Sequence, residues 1–414
     1  MRRLYRAVPV VLVLSSLVSV LWPRGGETVP LYAARTGLMC QTCHFDPNGG
    51  GPRNEFGFAF ARNRHSLNAE DSTSEWNDLL VTNRLGENLP IYLGLNHRLL
   101  LLGNTTAKSD SLDRLGFFNM QNAIHLVFQP HHRLTLVHTR DGATPRESFG
   151  MIGGFPFDGY LKAGAFRNPF GLRLDDHTVA TRNGFLDFYV PPAGFGASSF
   201  LPYDPRGTDQ GIEIGARHAG IYGRLSLTNG GSSLFSGRLF GGNPFAEAKT
   251  VKLGVVRGPY HGGVSLYDDY LKAPSLFSPY QRTTRWGYFG MLAREPWALL
   301  GEVAAGTDKD FFGAETNLLA GFAEFDFSPG RSLNFRVRYD HMNLNRDRTE
   351  VAPGIAMSDF HIHDRYSIEG EYVPVPFAEL RWALRFIEHK LDRDLGGFEI
   401  PDEKQAYLQL HFSY

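Results

Sequence analysis

The chain of 414 residues holds only two cysteines, Cys40 and Cys43. That excludes a disulfide framework, and a structural zinc site has no second cysteine pair to complete its four ligands. A charge of one sign is also lacking, with 42 basic residues against 43 acidic ones. No basic block exists to track a phosphate backbone, so no nucleic acid is expected as a partner. No linker cuts the chain into compact units, although a soluble chain of this length usually splits into domains. Long apolar runs are equally scarce. The one present, Ala7 to Trp22, is short for a spanning helix and follows Arg2, Arg3 and Arg6, the layout of a secretory signal. We read 1–26 as that signal. The competing reading, an uncleaved anchor, lacks a stop-transfer flank after Trp22.

What is present begins with Cys40-Gln41-Thr42-Cys43-His44. C-x-x-C-H is the attachment pattern of a c-type haem. Two intervening residues let both sulfurs reach the two vinyl groups of the porphyrin, and the adjacent histidine then offers a nitrogen to the iron. A thioredoxin-like pair would want a strand–helix context, which the flanking sequence does not offer. The expectation is one covalent haem c on Cys40 and Cys43 with His44 as an axial ligand. Export fits it, because this haem is attached outside the cytoplasm. On the opposite face His65 is a candidate metal ligand, being the only histidine between His44 and the strand-rich region. A ligand from elsewhere in the chain, a water or an open position are the alternatives, and the choice sets the potential.

Around the motif, 46–52 reads as a turn-rich loop and Asn54 as the cap of a short helix through Ala61. The haem-binding segment, 27–85, is too small to bury its cofactor alone. The rest of the chain has to enclose it.

From about Ile91 the hydrophobic period is two. Leu333, Phe335, Val337 and Tyr339 alternate with Asn334, Arg336, Arg338 and Asp340; Leu408, Leu410, Phe412 and Tyr414 alternate with Gln409, His411 and Ser413. A soluble sandwich alternates too. Here, however, short connections (such as Gly258–His261, Pro329–Arg331 and Pro374–Pro376) interleave with long ones (such as Asp141–Phe157 and Asn343–Ile362), the habit of outer-membrane barrels. Trp286, Tyr288, Trp297 and Tyr414 are expected in the interfacial girdles. The fold class is therefore all-β, a transmembrane antiparallel barrel over 86–414 with a short N-terminal haem-binding plug.

Alternation marks about fifteen strands. The fourth, near Tyr160–Arg167, is expected to run toward the short-turn side. One upward strand is then missing between Asn168 and Gly207, near Arg182–Val190. Adding it makes sixteen, enough for an open lumen. Arg336, Arg338, Arg381, Arg385, Glu324, Asp326, Glu369 and Glu371 are expected to face that lumen, with some arginines placed to pair with haem propionates.

The run from Val29 through Thr36, Gly37 and Leu38 into C-x-x-C-H, followed by Asn54, Phe56, Gly57 and Phe60, resembles the fused monohaem cytochrome–porin family of outer-membrane iron oxidases. The segment Ala165–Gly171 is similar to a motif of phosphate-selective porins. The glycine-rich stretch Asn48–Gly51 departs from the first family. The resemblance implies an outer-membrane electron carrier that moves electrons from extracellular Fe(II), or another external donor or acceptor, to a periplasmic electron-transfer cytochrome. The outer-loop run Asp359–Asp364 carries ligand types suited to transient iron binding. A porin whose haem segment plugs or gates the lumen is the competing function. A periplasmic haem sensor on a barrel anchor is a third.

Overall fold

A computed structural model describes residues 32, 36, 38–67, 82–86, 89–106, 114–142, 144–172, 179–182, 208–230, 247–270, 280–310, 313, 315–330, 332–346, 350–352, 355–356, 362–389 and 402–414. Two short helices come first, α1 (Cys40–Cys43) and α2 (Glu55–Arg62). The strands follow: β1 (Ile91–Thr106), β2 (Arg114–His131), β3 (Leu134–Asp141), β4 (Thr144–Phe155), β5 (Gly159–Arg167) and β6 (Thr208–His218). Next come β7 (Ile221–Thr228), β8 (Ala248–Arg257), β9 (Tyr260–Tyr270), β10 (Tyr280–Arg294), β11 (Trp297–Asp310), β12 (Glu315–Gly330) and β13 (Leu333–Arg346). A small hairpin, β14 (Glu350–Ala352) with β15 (Ile355–Ala356), precedes β16 (Ile362–Val375), β17 (Ala378–His389) and β18 (Glu403–Ser413).

All but the hairpin close into one barrel of 16 antiparallel strands. Each strand pairs with the next, β13 skips the hairpin to pair with β16, and β1 meets β18 from Asn96↔Ser413 to Thr106↔Glu403. Closure leaves no edge, so every strand satisfies its backbone groups within the protein. The period of two then sets the faces. On β13, Val337 is 56% exposed and its neighbour Arg338 is 1% exposed. The same contrast repeats at Ile212 and Ile214 against Glu213 and at Leu408, Leu410 and Phe412 against Gln409 and His411. An apolar exterior over a charged interior is inside-out for a soluble protein and right for one wrapped in lipid. At the short-turn end Trp297 stacks on Phe327 at 4.1 Å, as girdle aromatics do, whereas Trp286 and Tyr288, edge-on at 5.4 Å, lie in the middle of β10.

Three expectations need correction. Tyr160–Arg167 lies in the fifth strand and runs away from the short turns. The strand read as missing is β4, hidden in the stretch taken for a long loop over Asp141–Phe157. β5 and β6 are hydrogen-bonded neighbours, so no strand stands between them near Arg182–Val190. The reason is chemical. On β4 the inward side carries Glu147, Phe149 and Gly153, while Gly150 and Gly154 thin out the lipid side, so the usual alternation is blurred. Tyr414 is the third. Its ring packs on Phe58 at 5.2 Å and Phe377 at 5.5 Å, and its hydroxyl donates to the Thr82 carbonyl at 2.9 Å. It faces the N-terminal segment, not a lipid girdle.

The chain after β5 folds into the lumen instead. Phe170, Leu172, Val179 and Ala180 are buried. Gly171 N–H donates to Ser265 Oγ at 2.9 Å, Leu172 N–H to Glu302 Oε2 at 2.7 Å and Ala180 N–H to Asp340 Oδ1 at 2.8 Å. Gly171 has φ +63°, and a Cβ there would lie 2.2 Å from Glu302 Oε1, so only glycine fits. Leu172 and Val179 join Tyr222, Val256, Phe289, Met291, Leu300 and Phe322 in an apolar cluster within the barrel.

Candidate functional site: the C-x-x-C-H turn and its seat

The C-x-x-C stretch forms a single helical turn. His44 leaves it in extended conformation, with its N–H donating to the Cys40 carbonyl at 2.8 Å. No disulfide joins Cys40 to Cys43. The loop after His44 turns on Asp46, whose Oδ1 accepts from Asn48 N–H at 2.8 Å, and on Gly49, Gly50 and Gly51, all with positive φ. A Cβ on Gly49 would sit 2.9 Å from the Cys40 sulfur. The glycine-rich departure from the resembled family therefore lies against the Cys40 sulfur. The chain returns beside the motif through the His44↔Arg53 bridge and the Asn54 N–H to Cys43 carbonyl bond of 3.0 Å.

The Asn-x-Phe-Gly element has a physical reading. Asn54 Oδ1 caps α2 by accepting from Gly57 N–H at 2.9 Å, and its Nδ2 donates to the Gln41 carbonyl at 3.2 Å. A Cβ on Gly57 would lie 2.0 Å from the Cys43 carbonyl oxygen. The glycine lets α2 lie directly on the C-x-x-C turn. Burial pushes the Cys43 thiol up to about 11, so a thiol there stays protonated at neutral pH. That is the opposite of a reactive redox thiolate.

Lumen-facing side chains hold the segment. Asn48 Nδ2 donates to Glu213 Oε1 at 2.8 Å, and Arg224 donates to the Pro47 carbonyl at 2.8 Å. Lys162 bridges Glu213 at 2.9 Å and Asp46 at 3.4 Å, all three fully or nearly buried. Arg53 donates to the carbonyl and hydroxyl of Ser413 at 3.0 and 3.1 Å. Phe45 packs on Tyr92 at 4.9 Å and Phe58 on Phe377 at 5.0 Å. An apolar cluster of Tyr92, Val127, Val137, Phe149 and Phe166 backs Phe45.

The arginines read as propionate partners do face inward, but carboxylates of the wall engage them. Arg336, Arg338 and Arg385 converge on Glu369 at 2.7, 3.1 and 3.1 Å, and Arg365 binds Asp340 at 2.7 Å. His65, past the end of α2 at φ +56°, lies under the Tyr32 ring at 4.0 Å. Its ligand atoms fall within 4.8 Å of those of Glu371 and Glu379, both of which also accept from the Tyr32 hydroxyl at 3.3 and 3.1 Å. Arg381 contacts both carboxylates, so the group reads as a charge-compensated clamp between segment and wall. A cavity of about 230 Å³ borders His65, Glu371, Asp326 and Trp297; Cys40, Cys43 and His44 do not line it. The group that gathers around His65 likewise includes none of those three.

Of the outer-loop run Asp359–Asp364, the first three residues lie outside the described ones, as do the signal 1–26 and most of 27–37. Asp364 accepts from the Tyr339 hydroxyl and lies 3.1 Å from His341 Nδ1.

The sequence matches no family model and no curated protein. Among solved structures the chain is similar to an anion-selective porin from Comamonas acidovorans, with 11% identity and TM-score 0.53, covering 78% of this chain and 99% of that one. It is also similar to the outer membrane channel DcaP of Acinetobacter baumannii, with 13% identity and TM-score 0.52, covering 78% and 97%. The likeness is one of fold. It adds nothing about the N-terminal motif.

The residue that sequence reasoning missed is His261. It falls within Gly258–His261, which reads as a turn, yet β9 already starts at Tyr260 and turns the His261 ring into the lumen. The turn glycines masked it.

Proposed function

We propose that this chain is an outer-membrane electron carrier. Cys40 and Cys43 hold one haem c, His44 ligates its iron, and the segment 27–85 seats this unit inside the barrel at the short-turn, periplasmic end. The bound iron supplies a one-electron couple. The chain's own residues do the rest. Gly49 and Gly57 keep the attachment turn unobstructed, Asp46, Asn48 and Arg53 fix it to the wall, and Phe45 and Phe58 exclude water around it. Electrons pass between an extracellular donor or acceptor, ferrous iron being the one the family resemblance names, and a periplasmic cytochrome.

The observation that carries this reading is the C-x-x-C-H turn whose following loop, Asp46 to Arg53, is bonded to the wall of a closed barrel. A cofactor held there is shielded from bulk water by the wall and by the chain folded in after β5. The competing reading, a porin gated by its haem segment, draws on the same contacts and on the porin-like fold. A pyridine haemochrome spectrum of the purified protein, beside the Cys40→Ala/Cys43→Ala variant, tests the cofactor; covalent haem is expected in the first and none in the second. Anaerobic reduction by ferrous iron, measured with planar-bilayer conductance, separates the functions. Reduction with small currents supports the carrier. Large currents without reduction would leave the gated porin.

A further inference from the structure

The wall beside Cys40 carries one histidine whose bonding is half complete. His261, on β9, is 2% exposed and stands in the lumen between Tyr222 and Phe289. Its Nε2 pairs with the Tyr222 hydroxyl at 2.8 Å. Its Nδ1 is fully buried, and none of the described residues bonds to it. A buried ring nitrogen left this way costs free energy, so such atoms in native proteins have a partner or a task. Phe289 lies edge-on to the ring at 5.5 Å, the cluster with Val256, Leu172 and Val179 closes around Tyr222, and the cations of Lys252 and Arg224 stand close enough to act on it.

The arrangement is that of a metal-ligating histidine with its supporting partner. In the tautomer whose Nε2–H donates to the tyrosine oxygen, the ring's orientation is fixed and Nδ1 keeps its lone pair. The location fits the haem segment. Cys40 lies close enough to act electrostatically on both Tyr222 and Arg224, and Arg224 is bonded to the Pro47 carbonyl of the same loop. His65, the other candidate, gathers with Glu371 and Glu379 beneath the Tyr32 ring, a group that includes neither Cys40 nor Tyr222.

We infer that His261 supplies the second axial ligand to the haem iron, oriented by Tyr222. This rests on the haem reading above and sharpens it: the segment supplies the first axial ligand, His44, and the barrel completes the site with the second. The haem-loaded full-length protein tests it by electron paramagnetic resonance and optical spectra. The wild type is expected to be six-coordinate and low-spin. His261→Ala loses the low-spin signal, binds carbon monoxide when ferrous, and regains the low-spin signal on addition of free imidazole; His65→Ala does none of these. Tyr222→Phe keeps the ligand and shifts the midpoint potential, which covers the case in which His261→Ala does not fold. A wild-type protein without covalent haem fails the parent reading and this one with it. Covalent haem whose spin state is indifferent to His261→Ala, or lost in His65→Ala, overturns the ligand assignment alone.

Discussion

Cys43 shows how a single environment selects between chemistries that share a motif. A thioredoxin-like cysteine needs its thiolate; here burial outweighs the nearby Arg53 and keeps the proton on sulfur. In a Cys40→Ala variant made without haem, Cys43 is the only thiol. Its alkylation by iodoacetamide at pH 8 should run roughly a hundredfold slower than that of a free thiol, because the thiolate is a small fraction well below a raised pKa. The rate should climb as pH rises toward 11. An ordinary rate at pH 8 would mean the thiol is not buried against α2. The C-x-x-C-H motif is legible because its spacing is local. His261 is not, because its role depends on Tyr222, which lies 39 positions away in sequence.

At the scale of elements, α2 and the C-x-x-C turn form one unit through Gly57. Gly57→Ala puts a methyl group onto the Cys43 carbonyl, and the helix must shift at a cost of about 1–3 kcal/mol. Covalent haem per protein, read by haem stain against total protein, should fall in that variant while the barrel still shows heat-modifiable gel mobility. A full haem yield would show that the two helices move apart freely. The cap of α2 could be read from Asn54 because capping is a three-residue affair. The barrel strands followed from their period, except β4, whose glycines and inward Phe149 run against it. The inward fold after β5 left no periodic trace: Phe170 and Leu172 become core residues only because Ser265, Glu302 and Asp340 lie across the lumen to receive their neighbours.

For the whole molecule, the decisive property is a lumen filled from two directions. The N-terminal segment enters at the short-turn end, and the stretch around Leu172 and Val179 crosses within the barrel against Phe289 and Phe322. A 16-stranded barrel would otherwise leave a water-filled channel. Single-channel currents through the full chain should therefore be much smaller than those of an open barrel with this strand number. Removing two seating contacts together, with Glu213→Gln and Arg53→Met, should raise them or add flicker. Open-pore currents from the unmodified chain would contradict the packing of the segment against the wall.

The seat for Phe58 and Arg53 is built from Tyr414, Phe377 and Ser413, and Ser413 lies on the seam where β18 meets β1. That seam does not exist until the most C-terminal strand has found the first one. Docking of the segment is thus a late event in biogenesis, and the haem attachment proposed above, which needs enzyme access to both thiols, belongs before it. Assembly then has a built-in order: load, close, dock.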